Sequence, residues 1–154
     1  MGQVRAVASR SVAAPAQRVF DAVADYAGVR AQVLPGQFSG FAVREGGVGA
    51  GTVAAWTLAA TEKRVRQVLA TVSSPGGLSL VETDANSSMV STWTVSGGAG
   101  DAVSTVTLET VWQGAGGVGG FFERTFAPKA LGRIYDELLG NLAGFVERGG
   151  AAGS

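Results

Sequence analysis

The C-terminal part of the chain carries the feature that most constrains the fold, a long segment with one broad apolar face. Its apolar side chains recur at spacings of three and four residues, the pattern of an amphipathic helix. They are Leu131, Ile134, Tyr135, Leu138, Leu142, Phe145 and Val146. Pro128 either begins this helix or kinks a longer one starting near Gly120. A helix with such a face must be covered by another layer, which the rest of the chain has to supply.

The residues before this helix predict strands separated by turns rich in glycine and proline. A strand is predicted at residues 3–13, a helix follows Pro15, and a short loop or second helix runs to Gly36. Further strands are predicted at residues 38–45, 52–61, 64–73, 78–83, 88–96 and 103–112. We therefore expect an α+β domain in which about seven antiparallel strands wrap around the long C-terminal helix. Two short helices are expected after the first strand.

The composition predicts one globular domain without a strong electrostatic field. Hydrophobic residues make up 46% and charged residues 16% of 154 residues, and twelve basic residues balance twelve acidic ones. We therefore expect no binding to nucleic acid and no insertion into a membrane. Residues 1–148 are predicted to form a single domain and residues 149–154 a flexible tail. The first residues lack the apolar core of a signal peptide, so a cytoplasmic location is expected.

The chain contains no histidine and no cysteine. It therefore lacks the commonest general base and the commonest metal ligand, and we expect no metal site. The sequence Asp84-Ala85-Asn86-Ser87-Ser88 begins like a calcium loop but lacks the later glycine and glutamate, so a hairpin turn is predicted. Residues 114–119 spell G-x-G-x-x-G, yet no parallel strand can follow them. They are interpreted as a connector, and no cofactor is expected.

The three tryptophans are predicted to share one face of the sheet. Residues two apart on a strand point to the same side, and each tryptophan alternates in phase with aliphatic neighbours. Phe121, Phe122, Phe126 and Tyr135 are expected nearby, because they precede or belong to the long helix. These rings either fill a solid core or line a cavity. A few large rings among many small side chains are hard to pack densely, which favours a cavity.

Three charged residues lie on the same face of their predicted strands as apolar residues two positions away: Glu82, Arg66 and Arg10. If they point inward they need partners, because an unpaired buried charge is costly. An Arg–Glu pair inside an apolar pocket would orient a carboxylate or ketone of a ligand. The alternative is that these residues sit at strand ends and reach water. The sequence leaves both possibilities open.

Three stretches of the sequence resemble a known family: VASRSVAAPAQRVFDAVADY, the LPG that follows, and FAPKALGRIYDELLGNLAGFVE. They are similar to the polyketide cyclase/dehydrase-like branch of the START/SRPBCC superfamily, which has the helix-grip fold of the birch-pollen allergen. The resemblance covers about residues 3–148. It implies a hydrophobic cavity between the sheet and the long helix, with a small apolar molecule as its usual occupant. Members include lipid carriers, aromatase/cyclases, hormone receptors and quinone-binding chaperones, so the resemblance specifies fold better than function.

Three functions follow as alternatives. The first is a binder or carrier of a small apolar molecule such as a lipid, a quinone or a polyketide-like ring. The second is an enzyme of the cyclase/dehydrase type, in which Arg, Glu or Tyr135 would help proton transfer. The third is a protein-interaction module with an incidental cavity. No catalytic residue is assigned, and the candidate ligand-binding residues are Trp56, Trp93, Trp112, Phe122, Phe126, Tyr135, Glu82 and Arg66.

Overall fold

A computed structural model describes residues 3–60, 65–97, 100–113 and 128–152, and the side chains up to residue 149. Its strands are β1 (Gln3–Val12), β2 (Phe38–Glu45), β3 (Val53–Ala59), β4 (Val65–Ser73), β5 (Ser79–Asp84), β6 (Val90–Ser96) and β7 (Ser104–Gln113). The helices are α1 (Ala16–Ala24), a π-helical turn (Tyr26–Arg30) continued by α2 (Ala31–Val33), and the long α3 (Pro128–Ala152). This arrangement confirms the predicted α+β helix-grip fold, with its short helices after the first strand.

The seven strands form one antiparallel sheet in the order β1-β7-β6-β5-β4-β3-β2. From β2 to β7, strands that are consecutive in the chain are neighbours in the sheet. The first strand, β1, pairs with the last strand, β7, so that β1 and β2 form the two opposite edges of the sheet. Buried and more exposed side chains alternate along β6 and β7, as expected for strands with one covered face. The covered faces carry Trp93 on β6 and Leu108 on β7, which are partners in the pairing register.

The long helix α3 covers this face of the sheet and buries its own apolar stripe against it. Leu131, Leu138 and Leu142 are no more than 2% exposed, and the helix packs closely against β1. Burying such leucines stabilises the fold by roughly 1.5–3 kcal/mol each. The helix continues to Ala152, whereas the sequence analysis ends it at residue 148 and predicts a tail. Among the described residues no helix is long and apolar enough to cross a membrane.

The turn between α1 and β2 is held by the glycine-rich hairpin that joins β2 to β3. The backbone N–H of Ala27 donates to the carbonyl oxygen of Gly47 at 3.1 Å. In the opposite direction, the N–H of Gly49 donates to the carbonyl oxygen of Ala24 at 2.9 Å. The hairpin therefore fixes the end of α1 and the start of the π-helical turn from backbone atoms alone.

Asp25 begins the π-helical turn by capping it. Its carboxylate oxygen Oδ1 accepts a hydrogen bond from the backbone N–H of Gly28 at 3.0 Å. A Cβ atom at position 28 would lie 2.6 Å from Asp25 Oδ2, so any larger residue would displace the capping carboxylate. The turn carries Tyr26 and Arg30, and both side chains are buried.

Candidate functional site

A small pocket lies between the covered face of the sheet and α3. Its volume is about 20 Å³, on the order of the space that one water molecule needs. Five strands, the π-helical turn, α3 and the connections between them contribute to it. The lining residues are Arg30, Leu34, Phe38, Phe41, Trp56, Leu58, Glu82, Met89, Ser91, Trp93, Leu108, Tyr135 and Leu138. We refer to this set as the pocket.

One wall of the pocket is apolar and reaches the molecular surface. Leu34, Phe38 and Phe41 are partly exposed, and the ring of Phe41 stacks on that of Trp56 with centroids 5.9 Å apart. The strand that carries both phenylalanines, β2, lies at the sheet edge, and its register with β3 shifts twice. An edge strand with interrupted pairing is held by fewer ladder hydrogen bonds than a central one.

The opposite wall contains a buried polar cluster centred on Glu82 of β5. One carboxylate oxygen, Glu82 Oε2, accepts three hydrogen bonds. Tyr26 donates its hydroxyl at 2.5 Å, Arg30 its Nη2 at 2.9 Å, and Trp93 its indole Nε1 at 3.1 Å. The Glu82 and Arg30 side chains are only 6% and 4% exposed, so this is a buried ion pair. Its hydrogen bonds offset part of the cost of removing two charges from water.

The guanidinium of Arg30 is fixed by aromatic rings as well as by hydrogen bonds. Its central carbon lies 4.4 Å from the ring centroid of Tyr26 and 4.4 Å from that of Trp93. Nη1 donates to the carbonyl oxygen of Val23 in α1 at 2.9 Å. The arginine therefore connects α1, the π-helical turn, β5 and β6, and its orientation in the pocket is set before any ligand arrives.

Burial keeps the tyrosine of this cluster protonated. Removal from water, reinforced by the negative charge of Glu82, raises the pKa of Tyr26 far above its ordinary value. Burial alone would lower the pKa of Arg30, but the charges and hydrogen bonds of Tyr26 and Glu82 outweigh burial and raise it. Tyr26 is therefore a neutral hydrogen-bond donor, and Arg30 stays cationic.

A second polar group of the pocket is a chain of three hydroxyls. Ser91 Oγ lies 2.6 Å from Thr110 Oγ1, which lies 2.6 Å from the hydroxyl oxygen of Tyr135 on α3. Burial is the largest influence on Tyr135 and raises its pKa to about 12. Ser91 also pairs with Glu82 across β5 and β6, so the two polar groups are neighbours.

Four of the predicted site residues meet in this pocket: Trp56, Trp93, Glu82 and Tyr135. Trp112 is buried on the same face but does not line the pocket. It lies four residues beyond Leu108, the partner of Trp93, and is therefore about 13 Å further along β7. Phe122, Phe126 and the glycine-rich residues 114–119 lie outside the described part of the chain.

Arg66, one of the two arginines that the sequence offered as a possible partner of Glu82, is in a different place. Glu82 is opposite Val72 on β4, and Arg66 precedes Val72 by six residues, which is about 20 Å of strand. Arg66 is half-buried at the level of Leu58 and does not line the pocket. Arg10, the third charged residue singled out from the sequence, is exposed. The arginine that pairs with Glu82 is Arg30.

Four residues of the site were not predicted from the sequence: Arg30, Tyr26, Ser91 and Thr110. Arg30 and Tyr26 belong to a helical turn, where strand alternation gives no information. Their spacing is a signal that could have indicated them, because Tyr26 and Arg30 are four residues apart and such residues lie on the same side of a helical turn. Ser91 and Thr110 share a face with Trp93 and Leu108, so strand alternation places them inward. Because both side chains are polar, the hydrophobic pattern did not indicate that they are buried.

The described residues contain no group of three or more acidic residues placed to hold a metal ion. Asp84 has a structural role at the end of β5. Its carboxylate accepts from the backbone N–H of Leu69, the N–H of Asn86 and the hydroxyl of Ser87. These bonds build the turn between β5 and β6 that the sequence predicts at this point.

Comparisons with known proteins place this architecture among relatives. The family described as polyketide cyclase/dehydrase and lipid transport matches residues 3–147. The solution structure of KanY protein is 52% identical, with 96% of this chain and 99% of that chain covered and a TM-score of 0.85. No match was found among curated proteins.

Two more distant structures share the fold. The Zhui aromatase/cyclase from Streptomyces sp. R1128 is 18% identical over 96% of this chain and 95% of that chain, with a TM-score of 0.73. A START superfamily protein from Mycobacterium smegmatis is 14% identical over 96% of this chain and 99% of that chain, with a TM-score of 0.67. At these identities the likeness concerns the fold alone.

Proposed function

This chain belongs to the polyketide cyclase/dehydrase and lipid transport family, and from that premise we propose that it binds or carries a small, largely apolar molecule in the pocket. A lipid, a quinone or a polyketide-like ring has suitable chemistry. The observation that carries the proposal is the composition of the pocket, with aromatic and aliphatic side chains on one wall and a fixed polar cluster on the other. Small-molecule sites in proteins combine these two features.

A ligand of this size must separate the walls of the pocket, because the present volume holds about one water molecule. The wall that gives way is the one formed by Leu34, Phe38 and Phe41. These side chains are already partly exposed, and the edge strand β2 is irregularly paired. The polar wall stays in place, because Glu82 and Arg30 are held by several hydrogen bonds each.

The binding experiment is a fluorescence titration with N-phenyl-1-naphthylamine, a neutral apolar dye. We expect saturable binding at about one site per chain, accompanied by a change in tryptophan fluorescence. Replacing Trp56→Ala should weaken binding by roughly 1–3 kcal/mol, the scale for losing a large side chain from a contact.

The matched control for Trp56→Ala is Trp112→Phe, because Trp112 is buried on the same face but outside the pocket. This variant should bind the dye as the unmodified protein does. Absence of saturable binding, or equal weakening by both substitutions, would overturn the proposal. Native mass spectrometry of the freshly purified protein adds a second readout, since a retained ligand appears as a defined mass increment.

A second function, a cyclase/dehydrase-type enzyme, is favoured by one specific observation. Tyr26, Arg30 and Glu82 form a close group of buried titratable side chains beside the pocket, an arrangement common in active sites. A linear 1,3-polyketone offered to the protein distinguishes the two functions. Conversion to a cyclised product that is lost in Glu82→Gln supports the enzyme, whereas binding without conversion supports the carrier.

The third alternative, a protein-interaction module, gains little support from the described surface. The large apolar side chains exposed there are Val7, Val48, Val65 and Val103. They come from β1, the β2–β3 hairpin, the start of β4 and the residue before β7. Single exposed valines are ordinary on protein surfaces and do not by themselves mark an interface.

A further inference from the structure

The charge of Arg30 is already neutralised inside the pocket. Its Nη2 is bonded to Glu82, its Nη1 to the carbonyl oxygen of Val23, and its two faces are covered by aromatic rings. An entering carboxylate would therefore find no uncompensated cation. It would have to shed its water shell without a counter-ion, which is costly in a buried site.

One polar atom of the cluster is still available to a ligand. Glu82 Oε2 takes all three hydrogen bonds, and Oε1 accepts none from the residues the structure describes. Arg30 Nε also lacks a hydrogen-bond acceptor within the described ranges, but this atom is fully buried and so is not accessible to a ligand. Glu82 and Arg30 are each more than nine-tenths buried and both line the pocket. The carboxylate oxygen can only accept, so its natural partner is a hydroxyl group.

We propose that the pocket selects neutral, hydroxyl-bearing molecules over carboxylates, and that Glu82 determines this selection. The inference rests on the proposed function and specifies its ligand class. A phenol or alcohol donates to Glu82 Oε1, while the rest of the ligand lies against Trp56 and Leu58. A carboxylate brings two further acceptors to an oxygen that cannot donate, and its charge repels that of Glu82.

The hydroxyl chain beside Glu82 suits the same class of ligand. Three hydroxyls share two hydrogen bonds, so one proton is left over, and it lies at an end of the chain when both bonds run in the same direction. Both ends, Ser91 and Tyr135, line the pocket. A neutral ligand oxygen such as that of a ketone accepts a hydrogen bond from this hydroxyl. A ring with one hydroxyl and one carbonyl therefore satisfies both polar groups.

The test compares three probes that share one ring system: 2-naphthol, 2-methoxynaphthalene and 2-naphthoate, titrated against tryptophan fluorescence at neutral pH. Naphthol should bind about tenfold or more tighter than methoxynaphthalene, the scale for a hydrogen bond to a charged group. Naphthoate should bind most weakly. Equal affinity for all three, or tightest binding of naphthoate, would overturn the inference.

The variant Glu82→Gln gives the sharper result, because it removes the negative charge and leaves Arg30 uncompensated. Naphthoate should then gain at least about tenfold in affinity and overtake naphthol. The control variant Trp112→Phe should keep the unmodified order. If Glu82→Gln does not fold, the order of the three probes in the unmodified protein decides the matter.

Failure of this inference is distinguishable from failure of the proposed function. If none of the naphthalene probes and no apolar dye binds, the binding function itself is wrong. If all of them bind without regard to the hydroxyl or the charge, the pocket binds apolar rings and Glu82 has only a structural role.

Discussion

Two parts of the same core are built in opposite ways. In one part, side chains contributed by β1, β7 and α3 are aliphatic and fully buried: Val12, Val106, Leu131, Leu139 and Leu142. We call these five residues the apolar seam. Elsewhere under the same helix, the pocket contains an ion pair, a tyrosine and a chain of hydroxyls at similar depth. The seam stabilises by burial without directional demands, whereas the pocket must satisfy each polar atom with a partner.

The difference indicates that the seam residues contribute to stability alone, whereas the pocket residues contribute to both stability and specificity. Removing a leucine from the seam should cost stability and leave the pocket's preferences unchanged. Removing a polar partner from the pocket should leave a buried group unsatisfied, which costs stability and changes what the pocket accepts. Four substitutions or conditions test this division, beginning with the largest effect.

The largest effect is expected from Leu142→Asp in the apolar seam. An unpaired carboxylate at a fully buried position should abolish cooperative folding, which thermal denaturation followed by circular dichroism would show. The control is Lys129→Asp, which introduces the same side chain at an exposed position of α3 and should melt within a few degrees of the unmodified protein. A folded, cooperative Leu142→Asp variant would show that α3 is not needed to close the domain.

The next largest effect is expected from Arg30→Met in the pocket. The substitution leaves the charge of Glu82 buried without its cation and should lower the free energy of unfolding by about 3–5 kcal/mol. The double variant Arg30→Met/Glu82→Leu should be more stable than Arg30→Met alone, because no buried charge remains. Urea denaturation of both variants measures this. Additive losses in the double variant would mean that the two side chains do not interact energetically.

The sequence predicted the seam better than the pocket, for a physical reason. Spacings of three and four residues identify the buried face of a helix, and six of the seven apolar positions named on α3 are no more than 5% exposed. Strand alternation likewise placed Trp56 and Trp93 on the covered face, and it made Glu82 a candidate for that face. Both patterns are local, because they depend only on residues close together in the sequence and not on which other elements those residues contact.

The pocket's partners depend instead on register and on a turn. Alternation indicates which face a side chain occupies but not how far along the sheet it lies, so Arg66 was as good a partner for Glu82 as any other inward arginine. The pairing register puts it about 20 Å away. Arg30 reaches Glu82 from a π-helical turn whose position depends on the β2–β3 hairpin, a long-range contact that local periodicity does not contain.

High pH should produce the third effect, since both tyrosines of the chain are buried in the pocket region. The pKa is raised to about 12 for Tyr135 and further for Tyr26, whereas in the unfolded chain both are near 10. The folded state therefore binds more protons above about pH 10, and stability falls as pH rises. The expected slope is roughly 1.4 kcal/mol per pH unit for each tyrosine.

The variant Tyr135→Phe isolates one of the two contributions to this pH dependence. Its unfolding free energy should fall about half as steeply between pH 10 and 11 as that of the unmodified protein, because only Tyr26 still contributes. Tyrosinate absorbance should rise together with unfolding and not before it. A rise near pH 10 in the folded protein would show that the tyrosines are in contact with water.

The smallest effect is expected from the hydroxyl chain. It distinguishes most clearly between stabilisation by hydrogen bonds in the pocket and stabilisation by burial in the seam. Tyr135→Phe removes an end of the chain, and Ser91 can still bond to Thr110, so the loss should be about 1 kcal/mol. Thr110→Val removes the middle and leaves two buried hydroxyls without their partner, so it should cost about twice as much despite its similar shape. In a region stabilised by burial alone, valine would be as good as threonine at a fully buried position. Urea denaturation that ranks Tyr135→Phe as the more damaging change would show that packing, not hydrogen bonding, holds this wall of the pocket.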